Sequence, residues 1–231
     1  MKKLGVAIIL IVVMSGIILL INNNKTNKLQ EKREDNVIIN DKNTLTKEEN
    51  PENNPVSLHG SLSVEGTNLV DKSGQVIQLK GISTHGLQWY PQYVNKETFQ
   101  YMRDEWQINV IRLAMYTDPN VGYTKELYSK VKEGIDYATE LGLYVIVDWH
   151  ILSDNNPNIH KTEAIEFFTE IANQYKNNDN IIYEICNEPN GDVTWERDIK
   201  PYAEEVIGEI RKIDSDSIII CGTPTWSQDV D

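Results

Sequence analysis

The sequence predicts an α/β fold: a (β/α)8 TIM barrel of which this chain supplies the N-terminal five β/α units. Three observations carry that expectation. Short apolar runs alternate with helix-length stretches bearing an apolar stripe, and helix-length crossovers imply a parallel sheet. No Gly-x-Gly-x-x-Gly turn follows the first run, where an open dinucleotide-binding sheet carries its phosphate loop. Polar residues gather instead after several of the runs, at His85, Tyr116, His150 and Glu188. A barrel collects its site in that way, from the C-terminal ends of many strands.

The elements follow in order. Lys2 and Lys3 precede an 18-residue apolar run, residues 4–21, broken at Ser15 and Gly16. A basic start before an apolar segment reads as an export signal, and this length is the short end of a membrane-spanning helix. Residues 1–21 are therefore expected to be a signal peptide or a retained N-terminal membrane anchor. The remainder would be extracellular, secreted or tethered to the outer face of the cytoplasmic membrane by residues 4–21. Residues 22–56 are rich in Asn, Lys and Glu and hold no aromatic residue. Such a segment buries too little apolar surface to offset its ordering entropy, so it reads as a disordered polar linker.

Residues 57–231 are expected to fold. Alternating runs around Glu65-Gly66-Thr67 predict a hairpin, and Asp71-Lys72-Ser73-Gly74 a second turn. Strands are expected over 77–83, 110–115, 144–148, 181–186 and 217–221. Leu127, Val131, Ile135 and Ala138 fall at helical spacing, with Thr124 as a candidate cap and Gly142 as a stop. Ile165, Phe168, Ala172 and Tyr175 repeat the device with Thr162 as cap, and Tyr202, Val206, Ile210 and Ile213 do so again. A less clearly striped helix is expected over 95–106. A complete barrel usually needs roughly 250 residues, against about 175 after residue 56, so the sequence reads as part of a longer protein.

The formal net charge of −13 argues against a nucleic-acid groove or adhesion to anionic lipid, both of which want an excess of Lys and Arg. It favours a soluble body acting on a neutral or cationic partner, and a monomer is expected. Cys186 and Cys221 are too few for a disulfide scaffold and match no zinc spacing. They read as two buried thiols within strands, with a bond between neighbouring strands as the alternative.

An arginine inside an apolar strand, Arg112, needs a carboxylate partner if buried. A partner at the centre of the barrel mouth would be held ionised. Glu188, at a strand tip, could then donate a proton if a low-dielectric setting raises its pKa. Two carboxylates with opposite roles are the chemistry of glycosidic bond cleavage, and Asn187 beside the acid suits a hydrogen bond to a sugar hydroxyl. Trp89, Tyr90, Tyr116 and Trp226 offer flat faces for pyranose rings. His59 and His160 read as solvated or structural.

These residues carry a resemblance. QLKGISTHGLQWY (78–90), VIRLAMY (110–116), VDWH (147–150), IYEICNEP (182–189) and GTPTWSQDV (222–230) occur in that order. On them, residues 59–231 resemble glycoside hydrolase family 5, and within it the bacterial endo-β-1,4-glucanases (cellulases). The resemblance implies a retaining hydrolase of cellulose or related β-glucans, with no metal or organic cofactor. By position Glu188 matches the general acid/base. Asn187, Arg112 and His150 match orienting residues, and His85, Trp89, Tyr90, Tyr116 and Trp226 match glucan-binding positions. Cys186 stands where the family commonly has alanine, and Pro224 where it commonly has glycine. The family's nucleophile, a glutamate ending strand seven, is not expected within residues 1–231, nor are its strand-six His-x-Tyr pair and strand-eight tryptophan. Glu184 reads as an interior or structural contact, and residues 1–231 alone are expected to be inactive. The competing readings are a non-catalytic glucan-binding remnant and the same chemistry on mannan, xylan or mixed-linkage glucan.

Overall fold

A computed structural model describes residues 53–230. The expected signal or anchor (1–21) and most of the expected linker lie outside the described residues. The chain enters through a short helix α1 (Pro55–His59), capped by the Asn54 side chain on the Ser57 N–H at 2.9 Å. The expected hairpin follows: β1 (Ser63–Glu65) pairs antiparallel with β2 (Asn68–Val70), Glu65 facing Asn68 across a two-residue loop. Gly66 takes the first loop position with φ 63°, a left-handed conformation that glycine adopts without steric penalty. The second turn is organised by Asp71, whose carboxylate accepts from the Ser73 and Gln75 N–H groups and from the Ser73 hydroxyl. His59 Nδ1 lies 2.9 Å from the same carboxylate, a structural role as expected.

Five parallel strands then form one sheet in chain order: β3 (Gly81–Ser83), β4 (Val110–Tyr116), β5 (Tyr144–His150), β6 (Ile181–Glu184) and β7 (Ile218–Ile220). Between them run α2 (Lys96–Trp106), α3 (Leu127–Glu140), α4 (Lys161–Tyr175) and α5 (Lys200–Arg211). Strand β3 is shorter than the expected 77–83. The Asn109 side chain takes its place, accepting from the Lys80 N–H at 2.7 Å and donating to the Gln78 carbonyl at 2.9 Å. Strand β5 runs two residues past the expected 148, out to His150, and β4 runs one past, to Tyr116. The expected strands at 181–186 and 217–221 contract to β6 and β7.

Two of the expected caps are corrected. Glu126, not Thr124, occupies the N-cap of α3, and no side chain bonds there. Thr162 lies inside α4, whose N-cap is His160. The bulky rows after each loop set these boundaries by packing, which outweighs a hydroxyl cap. Gly142 does end α3: its φ is 66° and its N–H reaches the Thr139 carbonyl at 3.0 Å. Asn95 caps α2 through the Thr98 N–H.

Side-chain alternation divides the sheet into two faces. Ile111, Leu113 and Met115 of β4, Val145, Val147 and Trp149 of β5 and Ile181 and Tyr183 of β6 join one apolar core. Val131, Ile135, Phe167, Phe168, Tyr202 and Val206, from α3, α4 and α5, complete it. The opposite face carries Val110, Tyr144 and Ile182 at the strand starts, covered by Leu62 of the hairpin segment. Helices on one face only, with a short antiparallel segment across the strand starts, are the arrangement of a barrel wall rather than a doubly wound sheet. The expected (β/α)8 class is what the described residues form, as a five-strand part.

Candidate active site

The face away from the helices changes character along each strand. After Val110 comes Arg112, Ala114 and Tyr116; after Tyr144 come Ile146, Asp148 and His150; after Ile182 comes Glu184. Cross-strand register aligns Ala114 with Asp148, Tyr116 with His150, and Asp148 with Glu184. Apolar staves thus become polar at their C-terminal ends, and three charged groups converge inside.

Arg112 is the hub. Its Nε and Nη2 donate to the two oxygens of Glu184 at 2.7 and 2.8 Å, the fork geometry that guanidinium and carboxylate favour. Nη2 also donates to Asn187 Oδ1 at 2.8 Å and lies 2.8 Å from Asp148 Oδ2. Nη1 donates to the Ser83 hydroxyl at 3.2 Å. Burial works to lower the Arg112 pKa, but the Glu184 hydrogen bonds and the charges of Asp148 and Glu184 leave it raised. Asp148 is fully buried. Burial pushes its carboxyl well above the usual range, Glu184 adds to the push, and Arg112 opposes it. The carboxylate that Arg112 was expected to pair with is therefore a pair, Glu184 and Asp148.

Asn187 resolves the proton positions. Its Oδ1 must accept, since Arg112 only donates, so its Nδ2 donates to the Ile151 carbonyl at 3.1 Å and faces His150 Nε2 at 3.3 Å. His150 Nε2 is thereby the acceptor, and the ring hydrogen sits on Nδ1, which donates to Asp148 Oδ2 at 2.6 Å. Burial, helped by the Arg112 charge, brings the His150 pKa down to about 4, so the ring is neutral near pH 7. The expected Asn187 hydrogen bond to a sugar shares its amide with this network.

The arm that carries Asn187 and Glu188 is held from both sides. On the β5 side the Glu188 N–H donates to the Ile151 carbonyl at 3.2 Å, and Asn190 Nδ2 joins the Glu188 and Leu152 carbonyls at 2.9 and 2.7 Å. On the β7 side the Ser227 hydroxyl donates to the Asn187 carbonyl at 2.7 Å, and the Trp226 N–H to that of Pro189 at 3.1 Å. Gly222 permits the approach: a Cβ there would stand 2.4 Å from the Asn187 carbonyl oxygen. The Glu188 side chain is half-buried and lines a cleft of ≈ 270 Å³ with Glu184, Asn187, Cys221 and Thr223.

The aromatic candidates divide. His85, Trp89, Tyr90 and Tyr116 form one cluster, with His85 stacked on Tyr116 at 5.8 Å and 2°, and Trp89 tilted by 53° against Tyr116 at 4.8 Å. Tyr116 also meets His150 at 4.0 Å between ring centroids, which joins the cluster to the charged centre. Trp89 and Tyr90 are exposed, and Tyr93 extends the row from Tyr90. Trp226 stands apart on the β7 side, in a turn where Thr225, Trp226 and Ser227 all have φ between 56° and 60°. It is 48% exposed, so its indole is free to meet a ligand. Asp148, Ser83, Tyr93 and Ser227 are members that the sequence reading missed. Asp148 was within reach, because period 2 puts it on the face of His150. Among the described residues, no group of three or more His, Cys, Asp or Glu side chains is arranged to hold a metal ion.

Residues 70–231 match the family model described as cellulase, glycosyl hydrolase family 5. This chain belongs to glycosyl hydrolase family 5. It is 54% identical over 178 residues to Endoglucanase N of Pectobacterium atrosepticum, covering 76% of this chain and 40% of that one. Endoglucanase A of Butyrivibrio fibrisolvens is 52% identical over 180 residues, covering 75% of this chain and 41% of its own. This family 5 chain thus spans about two fifths of the length of these relatives. Among solved structures it superposes on Cellulase Cel5C_n with a TM-score of 0.74 at 43% identity, covering 78% of this chain and 58% of that one. A cellotetraose complex of a Thermobifida fusca endoglucanase Cel5A catalytic-domain variant aligns at TM-score 0.70 and 43% identity, covering 75% and 57%.

Proposed function

We propose that the protein to which this chain belongs hydrolyses internal β-1,4-glucosidic bonds in cellulose or related β-glucans, with Glu188 as the general acid/base. One observation carries the reading: Arg112, Asp148, Glu184, His150 and Asn187 engage one another, while the Glu188 carboxylate faces the cleft at the tip of the same strand. A retaining mechanism needs a second, nucleophilic carboxylate on the far side of the scissile bond. Glu184 does not suit that role, because both its oxygens are held by Arg112. By family resemblance the nucleophile belongs to a later strand, so we assign none of the described residues to it. The aromatic row and Trp226 would give sugar rings apolar faces on either side of Glu188. The names of the relatives, and the cellotetraose bound by one structural neighbour, support a β-glucan ligand. Export, as a secreted or membrane-tethered protein, rests on residues 2–21.

The test is Glu188→Gln in the protein carrying the whole barrel. General acid catalysis contributes roughly 10²–10⁴-fold. Turnover of cello-oligosaccharides should fall within about that range, and that of aryl glucosides with activated leaving groups much less, since they need little protonation. Equal losses on both substrates would refute Glu188 as the acid. Binding to insoluble cellulose without sugar release by the unaltered protein would refute the hydrolase reading altogether.

A further inference from the structure

Two thiols remain outside the machinery just described. Cys186 immediately precedes Asn187 and is fully buried; Cys221 follows β7, is partly exposed and lines the cleft beside Glu188. Their sulfurs are 3.6 Å apart, across 35 positions of sequence. We propose that Cys186 and Cys221 are a disulfide-forming site, oxidised by low-molecular-weight disulfides to a bond that ties the Asn187–Glu188 arm to β7.

The backbone brings the pair together and holds it there. The Ile185 N–H donates to the Ile220 carbonyl at 2.9 Å, which continues the β6–β7 ladder. The Gly222 N–H donates at 2.9 Å to the Cys186 carbonyl rather than that of Ile185, so the pairing shifts by one residue at Cys186. The shift brings the two cysteines side by side on adjacent segments, with their sulfurs in contact. A disulfide needs about 2.05 Å between sulfurs, so they must close by roughly 1.6 Å. Rotation about the two Cα–Cβ bonds is the motion that would close it. The thiols have few other partners: each reaches the Gly222 carbonyl, at 3.8 Å from Cys186 and 3.5 Å from Cys221. Oxidation removes two weakly satisfied S–H donors from an apolar setting.

Access divides the roles. A small disulfide entering the cleft meets Cys221 and not Cys186. The shared hydrogen bond favours the same order, holding the Cys221 thiol below its ordinary value against burial and pushing Cys186 up. The Cys221 thiolate attacks one sulfur of the reagent RSSR, forming a mixed disulfide and expelling RS⁻, which takes up the proton that Cys221 lost. Cys186 then releases its proton and attacks the Cys221 sulfur, expelling the second RS⁻ as RSH. Two protein thiols and one RSSR become one protein disulfide and two RSH, with two electrons passing to the reagent. The inference stands on this geometry and does not depend on the glucanase reading.

The test equilibrates the full chain with oxidised and reduced glutathione, in buffer and in concentrated urea, followed by acid quench and mass analysis of peptides. In buffer the Cys186–Cys221 peptide should form at an effective thiol concentration at least ~10-fold above that in urea, a potential about 30 mV lower. The native oxidised chain should also melt at a higher temperature than the reduced one. With Cys186→Ser, only glutathione-capped Cys221 should accumulate; with Cys221→Ser, native Cys186 should stay uncapped. Two persistent free thiols would overturn the proposal, as would mixed disulfide alone in the unaltered chain, or equal effective concentrations in buffer and urea.

Discussion

Replacing Arg112 by methionine tests the electrostatic centre most directly. The substitution keeps much of the side-chain volume and removes the charge that Glu184, Asp148 and the Asn187 amide share. Removing one partner of a buried ion pair costs about 3–5 kcal/mol, because the other charge stays buried without compensation. The Arg112 side chain is 20% exposed, which favours the lower end, about 3 kcal/mol. With a urea slope of roughly 2 kcal/mol/M, the unfolding midpoint should drop by about 1.5 M. The loss should also depend on pH. Burial and Glu184 already raise the Asp148 pKa, and Arg112 is what opposes them. In the variant that carboxyl rises further above its unfolded value, so the folded state binds the extra proton. A raised folded carboxyl loses stability as pH rises toward its folded pKa and regains it as pH falls. Between the folded Asp148 pKa of the unaltered protein and that of the variant, the deficit should therefore shrink as pH falls, by up to about 1.4 kcal/mol per pH unit for one proton. Urea titrations followed by tryptophan fluorescence over a series of pH values would measure it. A deficit below about 1 kcal/mol at neutral pH, or one that grows as pH falls, would refute the reasoning.

Two further outcomes follow from the same geometry. His150, with its pKa brought from 6.5 to about 4, should show an Nδ1–H neutral ring by nitrogen NMR at neutral pH. Its folded pKa is depressed, so its contribution is present above about pH 6.5 and is lost as pH falls toward 4, by at most about 3 kcal/mol; a ring that titrates near 6.5 in the folded protein would contradict this. Gly222→Ala should lower the melting temperature and loosen the arm, because a Cβ would sit 2.4 Å and 2.5 Å from the Asn187 and Cys186 carbonyl oxygens. Overpacking of that kind costs typically 1–3 kcal/mol, and an unchanged melting curve would show that the loop gives way freely.

Much of this site was legible before the fold. Glu188, Asn187, Arg112, His150 and Tyr116 were legible because each ends or interrupts an apolar strand, where an unsatisfied polar group would be unfavourable without a purpose. The helical stripes were legible because period 3.6 is a local property. The caps at Thr124 and Thr162 misled because a hydroxyl near a helix start is a weak preference beside packing of residues such as Phe167 and Val131. Strand β3 misled because the competitor for its hydrogen bonds, Asn109, lies 29 and 31 positions away.

The sequence by itself determined the parallel class, the order of the units and which residues stand at strand ends, since periodicity and chain order need no partner. Only the tertiary structure decided who pairs with whom. Arg112 reaches Glu184 and Asn187 across 72 and 75 positions, the Ser227 hydroxyl grips the Asn187 carbonyl across 40, and Cys186 meets Cys221. Each of these depends on the register of neighbouring strands, and a slip of one residue would turn Arg112, Asp148 and Glu184 to the helix side of the wall.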